Sequence, residues 1–205
     1  MSAHEHVDGQ LPHEPERATL EGRNKVLGFW IFLGAETVLF GTLFSAFLAL
    51  RHNIGDGPAA SHLFELPMVF AATMILLFSS LTSVFAVQAM HSNKVKPMIV
   101  WLAITILLGL AFLCLEIYEF NTYVSEGHQF RTSAFSSSFY TLVGFHGAHV
   151  AFGVLWIGLL IAQIFKKGLT VVTAPKIYVS AIYWHFIDVV WVFIFTVVYL
   201  MGKVG

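Results

Sequence analysis

The sequence has few charged residues and almost no cysteine. Only 11% of its 205 residues are charged, whereas 57% are hydrophobic, and the mean hydropathy is +0.76. A soluble domain of this size could not bury so much apolar surface, so the composition indicates an integral membrane protein. The single Cys114 excludes an internal disulfide and a thiolate metal cluster. The net charge of −1 gives no footprint for a nucleic-acid partner.

The first 23 residues lack the apolar core that a signal peptide has. They contain five acidic residues, two prolines and three histidines, which are His4, His6 and His13. We interpret residues 1–23 as a polar, solvated tail and residues 24–205 as one transmembrane domain. Metal binding by the tail histidines is the alternative interpretation of this segment.

The rest of the chain consists of long apolar runs. They occupy residues 26–50, 64–90, 98–118, 135–165 and 178–201. Each run is long enough to cross a hydrocarbon core of about 30 Å as a helix, and a membrane β-barrel would show short alternating segments instead. The predicted fold class is therefore all-α, a polytopic membrane bundle of five transmembrane helices. Short connections predict that consecutive helices are antiparallel neighbours.

The distribution of basic residues predicts the orientation of the bundle. Eight lysines and arginines lie within residues 1–25 and in the loops at 91–97 and 166–177, against three on the opposite side. Basic residues accumulate on the cytoplasmic side of membrane proteins, so we expect the N-terminus in the cytoplasm and the C-terminus outside. Lys166, Lys167 and Lys176 cluster in one of these cytoplasmic loops, where we expect contacts with lipid head groups.

Several ionisable residues lie inside the predicted spans. Glu36 is about ten residues into the first run, hence roughly 15 Å deep at 1.5 Å per residue. A carboxyl at that depth should be protonated or hydrogen-bonded to another helix, so we interpret it as a contact that joins helices. A proton relay is the alternative. Glu116 and Glu119 share one face of the third run, with Glu119 expected at the interface and a proton or cation site as the alternative.

Histidines occupy the fourth and fifth runs. His146 and His149 are three residues apart, as are His185 and Asp188, so each pair shares one helix face. Spacing of three does not suit haem ligation, and we expect neutral histidines bonded to Glu116, Asp188 or serines. His185 and Asp188 are expected to share one hydrogen-bond network, with a third member from the first or fourth helix. Small residues of the fourth run (Gly144, Gly147, Ala148 and Ala151) predict close approach of another backbone.

Four motifs carry a resemblance to a known family. They are Gly28–Glu36 (GFWIFLGAE), Leu115–Glu119 (LEIYE), Gly144–Val150 (GFHGAHV) and Tyr183–Trp191 (YWHFIDVVW). In this order the chain resembles subunit III of the haem-copper respiratory oxidases from Leu20 to Gly205, in the five-helix bacterial form. The closing segment and the loop at Thr173–Lys176 look most similar to cytochrome c oxidases of Gram-positive type.

This resemblance implies a role without catalysis by the chain itself. Family subunits III hold no haem and no copper, so haem and copper are expected in the partner subunits. The family role is to stabilise subunit I of a proton-pumping cytochrome c oxidase and to sustain its proton uptake, partly through bound phospholipid. The resemblance also implies a multi-pass protein of the bacterial plasma membrane. Glu36 matches the carboxyl known in the family for reacting with carbodiimide.

Two other functions remain open at this point. Subunit III of a quinol oxidase shares nearly all the core motifs. A small proton-coupled transporter could use Glu36, Glu116 and Asp188 as a relay, although such transporters have interrupted helices near their sites. The last three spans contain no internal proline.

Overall fold

The computed structural model describes residues 11–51, 53, 66–125, 130 and 132–204. Its five long helices are α1 (Leu20–Leu50), α2 (Leu66–His91), α3 (Val95–Ser125), α4 (Ala134–Lys167) and α5 (Ala174–Ile194). A 3-10 turn at Pro15–Arg17 precedes α1, and a π-helix at Phe195–Leu200 and the short α6 (Met201–Val204) continue α5. Five helices are long and apolar enough to cross a membrane, and no strand occurs among these residues. The all-α prediction with five spans is confirmed.

The helices extend beyond the apolar runs that predicted them. Helix α1 begins at Leu20 rather than at 26, because the Thr19 hydroxyl accepts a hydrogen bond from the Gly22 N–H at 3.0 Å and caps a polar first turn. Helix α3 continues to Ser125, past the predicted end at 118. Polar turns at the ends of a membrane helix carry no hydrophobic signal, so the sequence underestimates the helix length. The predicted start of the second span at 64 falls outside the described residues.

The order of packing differs from the prediction for one pair of neighbours. Helices α2 and α3, α3 and α4, and α4 and α5 pack as consecutive pairs, and α5 also packs on α2. Helix α1 packs against α4 and α5 instead, with no comparable contact to α2 among the described residues. The connection at 51–65 is the longest between two helices of the bundle, and it allows α1 to lie away from α2. For this pair the expectation of adjacent consecutive helices is wrong.

Small residues of the helices accommodate side chains rather than a second backbone. A Cβ on Gly147 would lie 2.5 Å from Oε2 of Glu116, whereas Gly144 has only a ring atom of Phe120 at 3.9 Å. Ala148 and Ala151 are exposed. At Gly144 and Gly147 the predicted approach of a second backbone is wrong for the described residues, because the close contact at Gly147 is with a carboxyl.

Part of the predicted solvated tail is packed onto the bundle. Glu16 in the 3-10 turn is 2% exposed, and its two carboxyl oxygens lie 3.2 and 3.3 Å from Nε2 of His91 at the end of α2. The Asn93 side chain donates to the Leu11 carbonyl at 3.3 Å, and a Cβ on Gly22 would lie 2.4 Å from the Glu16 carbonyl oxygen. Residues 11–19, called the N-terminal segment below, are thus docked on the helix ends. His4 and His6 lie outside the described residues.

Candidate functional site

The six polar residues predicted inside the membrane divide by exposure into two groups. Glu116, His146 and Asp188 are buried within the chain. Glu36, His149 and His185 are half-buried. Each residue lies on the helix that its span predicted, but their partners are largely different from those expected.

Glu36 on α1 is hydrogen-bonded to His149 on α4. Oε2 of Glu36 lies 3.2 Å from Nε2 of His149, and the two side chains are 15% and 16% exposed. The other ring nitrogen, Nδ1, lies 2.8 Å from the Phe145 carbonyl oxygen, which can only accept, so Nδ1 carries a hydrogen. If His149 is neutral, its Nε2 is an acceptor and Glu36 is the protonated donor. If His149 is charged, the pair is an imidazolium and a carboxylate. One proton joins the two helices in either case.

A third helix reaches the same place through Tyr183. Its hydroxyl donates to the backbone carbonyl of His149 at 3.2 Å, and its ring is 2% exposed. Phe40 of α1 packs edge-on against the His149 ring, with the centroids 5.1 Å apart. Helices α1, α4 and α5 therefore meet at one small polar contact, which is the inter-helix bond that the sequence predicted for Glu36.

His185 has a different partner from the one expected. Its Nδ1 lies 2.6 Å from the Ser80 hydroxyl on α2. Neither carboxyl oxygen of Asp188 has a hydrogen-bond partner among the described residues. The prediction of one network joining His185 and Asp188 to α1 or α4 is wrong, because the face of α5 that carries them looks toward α2.

Sequence reasoning missed the hydroxyl residues of α2. The indole N–H of Trp184 donates to Ser79 at 2.9 Å, and that of Trp191 donates to Thr73 at 3.0 Å. A buried tryptophan N–H needs an acceptor, and serine or threonine is what an apolar helix can offer. With Ser80, these residues place three hydroxyls of α2 against α5, and the hydroxyls within an apolar run were the signal that could have revealed these contacts.

Trp184 is the central side chain of the bundle. It is 1% exposed, and a Cβ on Gly109 of α3 or Gly153 of α4 would lie 2.7 or 2.9 Å from its ring atoms. Together with the bond to Ser79, the indole contacts α2, α3 and α4 from its position on α5. The two glycines leave the space that this ring fills.

His146 is surrounded by aromatic rings instead of the predicted polar partners. Its ring stacks on Trp191 at a centroid distance of 5.1 Å and meets Phe112 edge-on at 5.8 Å. Neither ring nitrogen has a hydrogen-bond partner among the described residues, so the expected bonds to Glu116, Asp188 or a serine are not present.

Glu119 is buried rather than solvated at the interface. It is 8% exposed and accepts hydrogen bonds from the Tyr123 hydroxyl and, at 3.3 Å, from the Tyr199 hydroxyl of the π-helix. Glu116, one turn away on the same face, is 6% exposed, and its Oε1 has no hydrogen-bond partner in the described chain.

A groove lies between the first turns of α1 and α5 and the facing part of α4. It has a volume of about 320 Å³ and is lined by apolar side chains with two lysines, Lys25 and Lys176. The Lys176 ammonium also donates to the Gln163 side chain at 3.3 Å. Lys166 and Lys167 do not line the groove; they are exposed in the last turn of α4. The sequence analysis predicted lipid contacts for Lys166, Lys167 and Lys176 in one loop but did not include Lys25.

A comparison with protein families identifies the family of the chain. The family model described as cytochrome c oxidase subunit III matches residues 17–203, and this range includes all four motifs. The chain belongs to the cytochrome c oxidase subunit III family. The resemblance seen in the motifs is thereby confirmed. Membership makes the chain a component of a haem-copper oxidase that associates with other oxidase subunits, and the five spans make it a multi-pass protein of the bacterial plasma membrane.

Curated relatives of this family cover the whole chain. Cytochrome c oxidase subunit 3 of Bacillus sp. (strain PS3) is 61% identical over 207 residues, 100% of each chain. The protein of the same name from Bacillus subtilis (strain 168) is 60% identical over 196 residues, 95% of each chain. Quinol oxidase subunit 3 of Bacillus subtilis (strain 168) is 48% identical over 205 residues, 100% of each chain.

Proposed function

We propose that the chain is the non-catalytic subunit III of a proton-pumping cytochrome c oxidase of aerobic respiration. In this role it docks on subunit I, stabilises it and supports its proton uptake. The observation that carries the proposal is the Glu36–His149 contact at 3.2 Å within a family-wide match. The most polar side chains of two motifs bind each other across helices, as a scaffold requires, rather than opening toward a substrate.

The same contacts support a chain without haem or copper of its own. Both ring nitrogens of His149 face protein partners, and no group of three or more His, Cys, Asp or Glu side chains that could hold a metal ion occurs among the described residues. A haem or copper ligand needs a free ring nitrogen directed at the metal. We therefore place the haem and copper of the complex in its partner subunits.

Cytochrome c is the proposed electron donor of the complex. The relatives named cytochrome c oxidase subunit 3 are 60–61% identical, against 48% for the quinol oxidase subunit 3 of Bacillus subtilis. A quinol oxidase of the same superfamily is the second candidate. A quinol-dependent activity in the purified complex that cytochrome c cannot replace would favour it.

The N-terminus is proposed to lie in the cytoplasm, with phospholipid bound in the groove. Arg17, Lys25, Lys94 and Lys176 gather at one end of the bundle, because the N-terminal segment, the α2–α3 turn and the start of α5 meet there. Basic residues at one end fit the cytoplasmic side. Apolar walls with two ammonium groups at the rim suit an acyl chain and an anionic head group.

Co-purification tests the main proposal. A tagged chain expressed in its own membrane and isolated in mild detergent should carry a large haem protein with cytochrome c oxidase activity. After removal of that partner, the chain alone should show no haem absorption. Isolation of the chain as a free, active proton-coupled transporter would contradict the proposal, as would stoichiometric haem on the separated subunit.

Lipid binding has its own matched test. We expect Lys25→Gln combined with Lys176→Gln to reduce the anionic phospholipid retained by the purified complex, as measured by native mass spectrometry. Lys166→Gln combined with Lys167→Gln removes the same charge outside the groove and should retain more lipid. Equal losses from the two pairs would show that general charge, rather than the groove, holds the lipid.

A further inference from the structure

A buried acid beside the π-helix remains outside the scaffold contacts described above. Glu116 is 6% exposed, and its Oε1 has no hydrogen-bond partner among the residues that the structure describes. A buried polar atom without a partner is destabilising, and a neutral or apolar side chain of similar size would pack there at lower cost. An acid at this position is therefore better explained by the binding of a ligand than by packing.

The surroundings of Glu116 hold its carboxyl in one place. Gly147 of α4 provides the contact surface, since a Cβ there would lie 2.5–2.8 Å from the atoms of the carboxyl group. Glu119 lies one turn further along α3, on the same face. The carboxyl therefore lies against a glycine of α4, with a second acid one turn along its own helix.

Glu119 is built to be an anion. It accepts from the hydroxyls of Tyr123 and Tyr199, so both of its oxygens act as acceptors. Tyr199 belongs to the π-helix at Phe195–Leu200, and π-turns frequently occur at functional sites. A second negative charge one turn away, in an apolar interior, is strongly disfavoured. Among the described residues no donor reaches Oε1 of Glu116, and the neighbouring Glu119 carboxylate opposes a second charge.

We propose that Glu116 is a proton-binding site, a neutral carboxylic acid next to the Glu119 anion that exchanges its proton with water at the end of α3. The ligand class is the proton itself. The hydroxyls of Tyr123 and Tyr199 both donate to Glu119, which places a cluster of three oxygen-bearing groups one turn along α3 from Glu116. Tyr140 of α4 is half-buried, and His146 is the titratable neighbour of Gly147 on α4.

Infrared spectroscopy of the intact oxidase complex tests this assignment. The spectrum of the wild type minus that of Glu116→Gln should contain one carbonyl band of a protonated carboxylic acid. The band should shift after transfer to D₂O, because the proton exchanges. Wild type minus Glu119→Gln should show carboxylate bands instead, which separates the two roles.

Three results would overturn the proposal. A carboxylate band in place of the protonated band in the Glu116→Gln difference would mean that Glu116 is ionised. A protonated band unaffected by D₂O would mean a sealed structural acid. A band that changes when sodium replaces choline would indicate a cation site. If Glu116→Gln does not assemble, Glu116→Asp serves instead, since it keeps the acid and should move the carbonyl band without abolishing it.

Discussion

Helices α1 and α5 are both membrane spans, but they are integrated into the bundle to very different degrees. In the most apolar stretch of α5, 50% of residues are buried within the chain, against 17% in α1. Helix α5 fixes Trp184, His185 and Trp191 by hydrogen bonds to α2, whereas α1 is bonded to its neighbours in the membrane interior through Glu36. Similar hydropathy therefore conceals a central helix and a peripheral one.

The two helices should differ most in the loss of stability that follows replacement of a tryptophan. We expect Trp184→Ala to lower the free energy of unfolding of the chain in detergent by about 3–5 kcal/mol, because it opens a cavity between four helices and frees the Ser79 hydroxyl. Trp30→Ala on α1 is the control: that ring is 57% exposed, and its loss should change stability by less than about 0.5 kcal/mol. Equal effects would remove the distinction between the two helices.

Glycine-to-alanine substitutions also compare the packing around α5 with that around α1, but they add atoms instead of removing them. Gly109→Ala places a Cβ 2.7 Å from the Trp184 ring and should destabilise the chain by about 1–3 kcal/mol. Gly34→Ala on α1 meets nothing within 4 Å and should be neutral or stabilising by up to about 1 kcal/mol, since alanine favours the helix. Thermal unfolding of both variants in one detergent measures the difference, and a destabilised Gly34→Ala would show that α1 is packed more tightly than described.

The bond between α5 and α2 can be isolated by a double-mutant cycle. His185→Leu and Ser80→Ala remove the two sides of the 2.6 Å contact. The stability change of the double variant should therefore differ from the sum of the two single changes by about 0.5–1.5 kcal/mol. His185→Leu with Thr73→Val is the control pair, because Thr73 bonds Trp191 about two turns away. The effects of these two substitutions on stability should add to within about 0.5 kcal/mol. Simple additivity in the first pair would contradict the His185–Ser80 bond.

The smallest effect is expected at the polar contact of α1. Glu36→Gln keeps a donor for Nε2 of His149 and should leave stability within about 0.5 kcal/mol of the wild type. Glu36→Ala leaves that nitrogen without its partner and should destabilise by about 1 kcal/mol. Oxidase turnover and proton pumping of the assembled Glu36→Gln complex should also be preserved. Loss of most pumping in a fully assembled complex would favour the relay interpretation of Glu36.

The sequence was sufficient to predict the number of helices and which helix carries each of the polar residues. Twenty apolar residues in a row leave few alternatives, and an acid such as Glu36 stands out against them. The partners were harder to predict, because they depend on how each helix is rotated about its axis. Hydropathy is nearly uniform around these helices, so it did not indicate that the His185 face looks toward α2 rather than α4.

The N-terminal segment shows the same limitation at the membrane surface. Its composition is that of a solvated tail, and nothing in the sequence marks Glu16 as the residue that becomes buried against His91. Contacts between residues so far apart in the chain are set by the order of packing, which local patterns do not encode. The helix caps, by contrast, depend on local sequence: Thr19 and Ser133 are the polar residues that precede apolar helices.

The position of α1 against α4 and α5 has a consequence for biogenesis. Helix α1 leaves the ribosome first, but its packing partners are synthesised last. Glu36 and His149 are separated by 113 residues, which at about 5–20 residues per second corresponds to roughly 6–23 s of translation. During that interval the nascent α1 must remain in the bilayer, or beside the insertion machinery, without its packing partners. A chain truncated before α4 should therefore expose a helix that membrane chaperones bind and quality-control proteases degrade.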